Sequence, residues 1–367
     1  MKITVVKESR MAEKRVAITP QVAAQLCKQG FEVFIEHNAG YDSNFSDEAY
    51  INAGCKIMSK QEALATCDIL AKVNAPSTDE INSLKEGAAC ISYLYAPLNP
   101  DLVQQLTAKK LSAFSMDAIP RISRAQNMDA LSSQSNLSGY KAVILGANHM
   151  GKIFPLLMTA AGTITPSRVL IYGAGVAGLQ AIATAKRLGA IVEVSDVRPE
   201  TKEQVESLGG KFIEVKSDEV AKIEGGYAKE VSADYLQKQK EAVNKSLFMA
   251  DLVITTALVM GKKAPVLITE EQVKQMKLGS VIVDMAVEQG GNCELSELDK
   301  AVYKHGVCIV GQSNLPSTLP QNASELYAKN IQNLLNHLAT KEGFKWEMDE
   351  EITKGTLITH QGTILKS

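Results

Sequence analysis

The chain has 367 residues, 45% hydrophobic and 22% charged, with 39 Lys and Arg against 41 Asp and Glu for a formal net charge of −2. That length predicts two domains. The balance excludes a nucleic-acid partner, which needs a basic excess, and no Lys/Arg cluster marks a membrane surface.

Cys27, Cys55, Cys67, Cys90, Cys293 and Cys308 are scattered, with no CxxC pair and no His at ligand spacing. Reduced thiols in a cytoplasmic protein are expected, and no metal site. The opening Met1-Lys-Ile-Thr-Val-Val6 reads directly as a strand, so no targeting leader is expected. The uncharged run 169–185 is broken by glycines and falls short of a membrane span, so no direct membrane insertion is expected.

Strand-like and helix-like segments alternate before residue 117. Residues 3–6 read as a strand, and Thr19-Pro20 supplies an N-cap and first-turn proline for a helix ending near Gly30. Strands are predicted at 32–36, 68–73, 89–94 and 111–116, and helices at 61–66 and 100–109. Such alternation implies a parallel, doubly wound sheet. Residues 120–135 then crowd together Arg121, Arg124, Gln126, Asp129 and Ser132. Two readings stand: a loop reaching into a cleft to orient a cofactor, or a polar interdomain linker capped by Asp and Ser.

A second series begins at the strand 169–172. Gly173-Ala-Gly-Val-Ala-Gly178 follows it, then a helix over 179–188, a strand over 190–195, and Asp196. Strand, GxGxxG, helix, strand and terminal acid are the dinucleotide-binding fingerprint. Gly173 permits the tight turn, Gly175 lets the backbone approach a pyrophosphate, and Gly178 seats the helix on the strand. The helix N-terminus, with its free N–H groups, favours the negative charge. Asp196 can accept hydrogen bonds from ribose hydroxyls and repels a 2′-phosphate, so NAD(H) is expected. Arg198 could pair with a 2′-phosphate, or stand as a solvated charge at a strand end.

Further strands at 212–215, 252–256, 280–284 and 307–310 make six. Between the third and fourth lies a charged insertion, 216–249, with Gly225-Gly226-Tyr227 in it and a helical stretch at 233–248. Its length suits a lid. An amphipathic helix over 322–338 leads to a tail, 345–366, read as short strands that return to the first domain. The fold expected is α/β: two doubly wound, Rossmann-like domains with a cleft between them. The N-terminal domain takes 1–130 plus 318–367, and the NAD(H)-binding domain takes 131–317.

Several long motifs carry a resemblance. They are Pro120-Arg-Ile-Ser-Arg-Ala-Gln126, Met128-Asp129, Leu131-Ser-Ser-Gln-Ser-Asn-Leu137, Thr184-Ala-Lys-Arg-Leu-Gly189, Thr201-Lys-Glu-Gln-Val-Glu-Ser-Leu-Gly-Gly-Lys-Phe212, Gly225-Gly-Tyr-Ala-Lys-Glu230 and Ala264-Pro-Val-Leu-Ile-Thr-Glu270. Over nearly its whole length the chain resembles the alpha subunit of the proton-translocating NAD(P) transhydrogenases, in its soluble NAD(H)-binding component. The resemblance implies a nicotinamide-facing loop at Arg121, Gln126, Asp129 and Ser132, and a mobile-loop tyrosine at Tyr227. It implies nucleotide contacts at Val176, Asp196, Val197, Arg198, Gly226, Gln239 and Leu258. For Gln239 an exposed helical polar position is the alternative. It also implies a homodimer that is active only with its partners. An NADP(H)-binding component and a transmembrane component would complete the enzyme, with this chain cytoplasmic and peripheral to the inner membrane. Hydride transfer between two nicotinamides needs no general acid or base, only geometry and exclusion of water.

Alanine dehydrogenase is the rival. Glu13-Lys-Arg-Val-Ala-Ile-Thr-Pro20 and Asp68-Ile-Leu-Ala-Lys-Val73 also resemble that enzyme, with Arg15 and Lys72 where it binds a keto acid. Two departures oppose it. Tyr95 stands where the dehydrogenase has its catalytic histidine, and Glu288 where it has an aspartate. Without the imidazole, proton transfer lacks its usual agent.

Overall fold

Six short apolar strands open the chain: β1 (Lys2–Val5), β2 (Glu32–Glu36), β3 (Lys56–Met58), β4 (Ile69–Ala71), β5 (Ala89–Ser92) and β6 (Ser112–Ser115). A hairpin of β7 (Leu157–Thr159) and β8 (Gly162–Ile164) follows. The second series is β9 (Arg168–Tyr172), β10 (Ile191–Ser195), β11 (Lys211–Phe212), β12 (Leu252–Thr255), β13 (Val281–Asp284), β14 (Lys300–Lys304) and β15 (Val307–Gly311). The last pair is β16 (Leu357–His360) and β17 (Thr363–Ile364). The computed structural model describes residues 1–214, 233–258 and 262–366, without the side chains of 233–236. It divides into two units, Met1–Ser135 with Pro316–Ser367, and Asn136–Leu315.

The sheet of the first unit runs β17-β16-β6-β5-β4-β1-β2-β3. Strands β1 to β6 pair in parallel, and β16 joins β6 antiparallel. Every residue of β4, β5 and β6 is buried, as a parallel sheet covered on both faces demands. One face packs Ile3, Val5, Ile69 and Ile91 against Val22 and Leu26 of the helix Pro20–Lys28 and Ile331 and Leu335 of the helix Pro320–Leu338. The other packs Leu70, Cys90 and Ala113 on Leu64, Ile81 and Leu106. The chain order reverses between β1 and β4, and the crevice at such a switch point is where doubly wound folds bind ligands.

The sheet of the second unit runs β11-β10-β9-β12-β13-β15-β14, parallel except for β14. Its switch point lies between β9 and β12. Val169, Ile171, Val194 and Ile254 meet Ala181, Ile182 and Ala185 of the helix Val176–Arg187. Leu170, Val253 and Ile282 meet Val243 and Leu247 of the helix Ala233–Met249. The doubly wound α/β fold read from the sequence is therefore present in both units.

Four local readings are corrected. The tail is not all strand: Glu351–Thr356 is helical, with the Glu350 carboxylate accepting from the N–H groups of Ile352 and Thr353. Residues 130–135 are the first turns of the helix Ala130–His149 rather than linker. The third strand of the second sheet ends at Phe212, not at 215. A seventh strand, β14, closes that sheet's edge antiparallel, and lysines at both its ends blunt the edge against further pairing. Among the described residues no helix is long and apolar enough to cross a membrane.

Candidate functional site

The turn between β9 and the helix Val176–Arg187 explains each glycine of the fingerprint separately. Gly173 has φ +100°, where an L side chain is strained, and a Cβ there would lie 2.4 Å from Thr256 Oγ1. Gly175 is the N-cap, and a Cβ on it would meet nothing within 4 Å. At Gly178 a Cβ would fall 1.9 Å from the carbonyl oxygen of Gly173. So Gly173 and Gly178 are required by the protein's own packing, whereas the space over Gly175 is open. That space lies beside first-turn N–H groups that have no intrahelical acceptor, an arrangement that favours negative charge.

Asp196 directly follows β10. Its Oδ2 accepts from the Ala174 N–H at 2.6 Å, which ties the acid to the glycine turn. Its Oδ1 accepts from the Arg198 N–H at 2.8 Å and Nε at 3.1 Å, and Arg198 Nη2 reaches Oδ2 at 3.0 Å. Burial works to raise the carboxyl's pKa, but the bonds from Arg198 and Ala174 outweigh it and hold it below its ordinary value. Arg198 is an exposed charge at the strand end and at the same time the acid's ion-pair partner. The carboxylate is 5% exposed and the guanidinium 51%. Asp196 thus stands ionised at the strand end with both oxygens accepting bonds from the chain. Val176, Val197 and Leu258 are exposed, and Gln239 is half-buried on the helix Ala233–Met249. Gly226 and Tyr227 lie outside the described residues.

In the first unit the loop before the helix Ala130–His149 is a pinned structure. Its short helix, Ser123–Met128, offers the Asn127 carbonyl to Asn330 Nδ2 at 2.9 Å and Asn333 Nδ2 at 3.0 Å. Arg124 Nη2 pairs with Glu350 Oε1 at 2.7 Å and Glu351 Oε2 at 3.3 Å. Asp129 accepts from the Ser132 N–H at 2.9 Å and its hydroxyl at 2.5 Å, so these two form a capping pair. Arg121 and Gln126 are exposed on the same loop. The asparagines holding the loop carried no signal in the sequence, because they come from a helix roughly two hundred residues away.

Below this loop, at the carboxyl end of the first sheet, buried charges are matched. Arg15 clasps Glu13 through Nε–Oε1 at 2.8 Å and Nη2–Oε2 at 2.7 Å, and its Nη1 donates to Gln134 at 2.9 Å. Burial would raise the Glu13 carboxyl, but the bonds from Arg15 prevail and hold it at about 2. Lys72 Nζ lies 3.2 Å from Glu80 and 3.6 Å from Glu8, all three nearly inaccessible. Burial of Glu8 outweighs its attraction to Lys72 and pushes its pKa up. Tyr95 adopts φ +46°, and its N–H and that of Leu94 donate to Asp117 Oδ1 at 3.1 and 2.9 Å.

Two doubly wound sheets, one bearing a complete dinucleotide fingerprint with its acid in place, define a nucleotide-binding α/β protein. The family description "Alanine dehydrogenase/PNT, N-terminal domain" matches residues 4–138 and "Alanine dehydrogenase/PNT, C-terminal domain" matches 142–367, so the chain belongs to this family. It is 52% identical over 375 aligned residues to the first of the parts that make up the NAD(P) transhydrogenase subunit alpha of Rhodospirillum rubrum, covering 100% of this chain and 98% of that one. The crystal structure of a transhydrogenase from Sinorhizobium meliloti matches with a TM-score of 0.91 at 41% identity, over 99% of this chain and 100% of that chain. The alanine dehydrogenase of Bacillus subtilis is more distant: 30% identical over 372 residues, 99% of this chain and 92% of that one.

Proposed function

We propose that this chain is the NAD(H)-binding component of a proton-translocating transhydrogenase. The observation that carries the reading is the turn from Gly173 to Gly178, tightly packed at its outer two glycines and open above Gly175, with ionised Asp196 bonded to its backbone. When bound, NADH supplies a hydride, which passes directly to NADP+ held on a partner component. Gly175 and the helix N-terminus hold the pyrophosphate, and Asp196 receives the ribose hydroxyls, with Val176, Val197, Arg198, Gln239 and Leu258 completing the contacts. Arg121, Gln126, Asp129 and Ser132 orient the nicotinamide. Tyr227, after glycines that permit a hinge, is the residue that closes over the nucleotide, and Gly226 is a further nucleotide contact. The partners are the NADP(H)-binding and transmembrane components, which place the chain on the cytoplasmic side, peripheral to the inner membrane. The enzyme acts only with these partners. A second copy of the chain is the further partner, and the hairpin β7–β8 supports that reading. It exposes Leu157, Met158 and Ile164, with Leu156 beside it, an apolar patch that suits a dimer contact.

Calorimetric titration tests the cofactor. NADH should bind more tightly than NADPH by more than ~1 kcal/mol, because a desolvated carboxylate opposes the 2′-phosphate. Equal affinities would shift the decision from Asp196 to Arg198.

The alternative is an alanine dehydrogenase, and the buried ion pairs count against it. Arg15 and Lys72 are engaged by Glu13, Glu80 and Glu8, and Tyr95 replaces the needed imidazole. Alanine and NAD+ should therefore give no NADH with this chain. A robust enzyme-dependent rise in NADH absorbance would move the function to that reaction while leaving the fold untouched.

Gln126→Asn and Tyr227→Phe should slow single-turnover transfer in the reconstituted enzyme without lowering the melting temperature. Displacing the ring by near 1 Å costs on the order of 100-fold in rate. Unchanged rates and NADH affinities for both variants would remove the orienting and lid roles together.

A further inference from the structure

The loop after β13 contains a buried side chain that takes no direct role in the proposed chemistry. Asn292 is wholly inaccessible. Its Nδ2 donates to the carbonyls of Ala257 at 2.9 Å and Pro265 at 2.8 Å, and its Oδ1 accepts from the Ala257 N–H at 3.1 Å. Its carbonyl accepts from the N–H groups of Leu267 and Ile268 at 2.8 and 3.0 Å. Its own N–H donates to Asp284 Oδ2 at 2.8 Å.

Asp284, at the end of β13, is equally buried. It also accepts from the N–H groups of Ala286 at 3.0 Å and Cys293 at 2.9 Å, and from the hydroxyls of Thr255 at 3.1 Å and Ser296 at 2.6 Å. Gly291 allows this close fold: it has φ +80°, and a Cβ on it would stand 2.8 Å from Asp284 Oδ2. On the far side of Ala257, the Thr256 N–H donates to the Tyr172 carbonyl at 2.9 Å, and its hydroxyl donates to the same carbonyl at 3.0 Å. A continuous set of bonds thus leads from Asp284 through Asn292 and Ala257 to the residue that precedes the glycine turn.

We propose that Asp284 and Asn292 are a positioning pair, setting the segment after β12 against the Gly173 turn and thereby the affinity for NAD(H). The inference rests on the proposed function, in which Leu258 touches the nucleotide. The Asn292 carboxamide pairs with both the N–H and the carbonyl of Ala257, as a neighbouring strand would. That rung fixes the backbone immediately before Leu258. Its third bond, to Pro265, holds the return of the same segment. Without the carboxamide, one N–H and two carbonyls lose their partners and the segment must move to recover them. Rigid support of this kind places a contact residue without touching the ligand.

The test uses the full chain, titrated with NADH by calorimetry well below the melting temperature, beside thermal unfolding. The variants are Asn292→Ala, Asn292→Ser and Asp284→Asn, with Val253→Ala as a control. Val253 is a fully buried residue of β12 on the face away from the helix Val176–Arg187, so its truncation loosens the same core while leaving every hydrogen-bonding group of the rung in place. Both Asn292 variants should weaken NADH binding by about tenfold or more, since each orphaned buried group is costly. Asp284→Asn should weaken it in the same direction, and Val253→Ala should bind as the parent does at a comparable loss of melting temperature. Folded Asn292 variants binding NADH within twofold of the parent would overturn the inference. So would a weakening that Val253→Ala reproduces in proportion to its lost stability. A parent chain that fails to bind NADH would instead overturn the proposed function, and this inference with it.

Discussion

Gly175→Ala should weaken NADH binding by at least about tenfold while the chain melts within about 3 °C of the parent. The backbone at Gly175, φ −78° and ψ −170°, is one that alanine adopts freely, and its Cβ would project into open space. The fold therefore has little to lose, apart from a slightly poorer helix N-cap. The ligand loses the close approach of its pyrophosphate to the backbone. Gly178→Ala is the contrasting case. Its Cβ would lie 1.9 Å from the Gly173 carbonyl, so the helix and turn must separate before any ligand arrives. Overpacking of this kind costs about 1–3 kcal/mol, which at about 1.4 kcal/mol per tenfold allows a loss of up to about 100-fold in affinity. Calorimetry and thermal melts on the two variants would separate the roles. Parent-like NADH affinity in Gly175→Ala would show that the open space is not the pyrophosphate site.

Arg15→Ala should destabilise the chain by about 3–5 kcal/mol, because it leaves the Glu13 carboxylate buried without its cation. The double variant Glu13→Gln with Arg15→Met should recover much of that loss, since it removes both charges together and leaves no orphaned ion. The pH dependence follows from Glu13. Its native pKa, at about 2, lies below the ordinary 4.5. A depressed carboxyl contributes stability that is fully present above the ordinary value and is lost as pH falls through the native one. The gap between parent and Arg15→Ala should therefore narrow as pH falls from about 4.5 toward 2, as the parent loses the contribution of its ionised Glu13. A gap constant across that window, measured by urea unfolding, would show that Arg15 acts through packing alone. Glu8 runs the other way, since burial raises its pKa and its neutral form is the one the fold favours.

The glycine turn was legible because each of its residues answers to a local requirement: a positive φ, an open N-cap, a close approach. The parallel strands were legible because runs such as 169–172 and 89–91 are buried on both faces and hence continuously apolar. The elements that escaped follow other rules. Strand β14 carries lysines at both ends because it is an edge, and the hairpin β7–β8 has no core to impose a period-two pattern. The helix Ala130–His149 begins in a serine-rich stretch whose capping pair, Asp129 with Ser132, reads equally as linker. The ion pair of Arg198 went unread because its partner, Asp196, was already assigned to the ligand. Asn292 could not have been found at all, since its rung to Ala257 joins loops that only the sheet brings together.

The most direct measurement of the central claim is transfer itself. The purified chain would be combined with an NADP(H)-binding component, NADH and an oxidised NADP analogue whose reduction has its own absorbance. Direct transfer predicts reduction of the analogue that requires both proteins, needs no alanine, and carries deuterium from labelled NADH without exchange into water. No reduction with both components present and saturated, or label lost to solvent, would contradict the account.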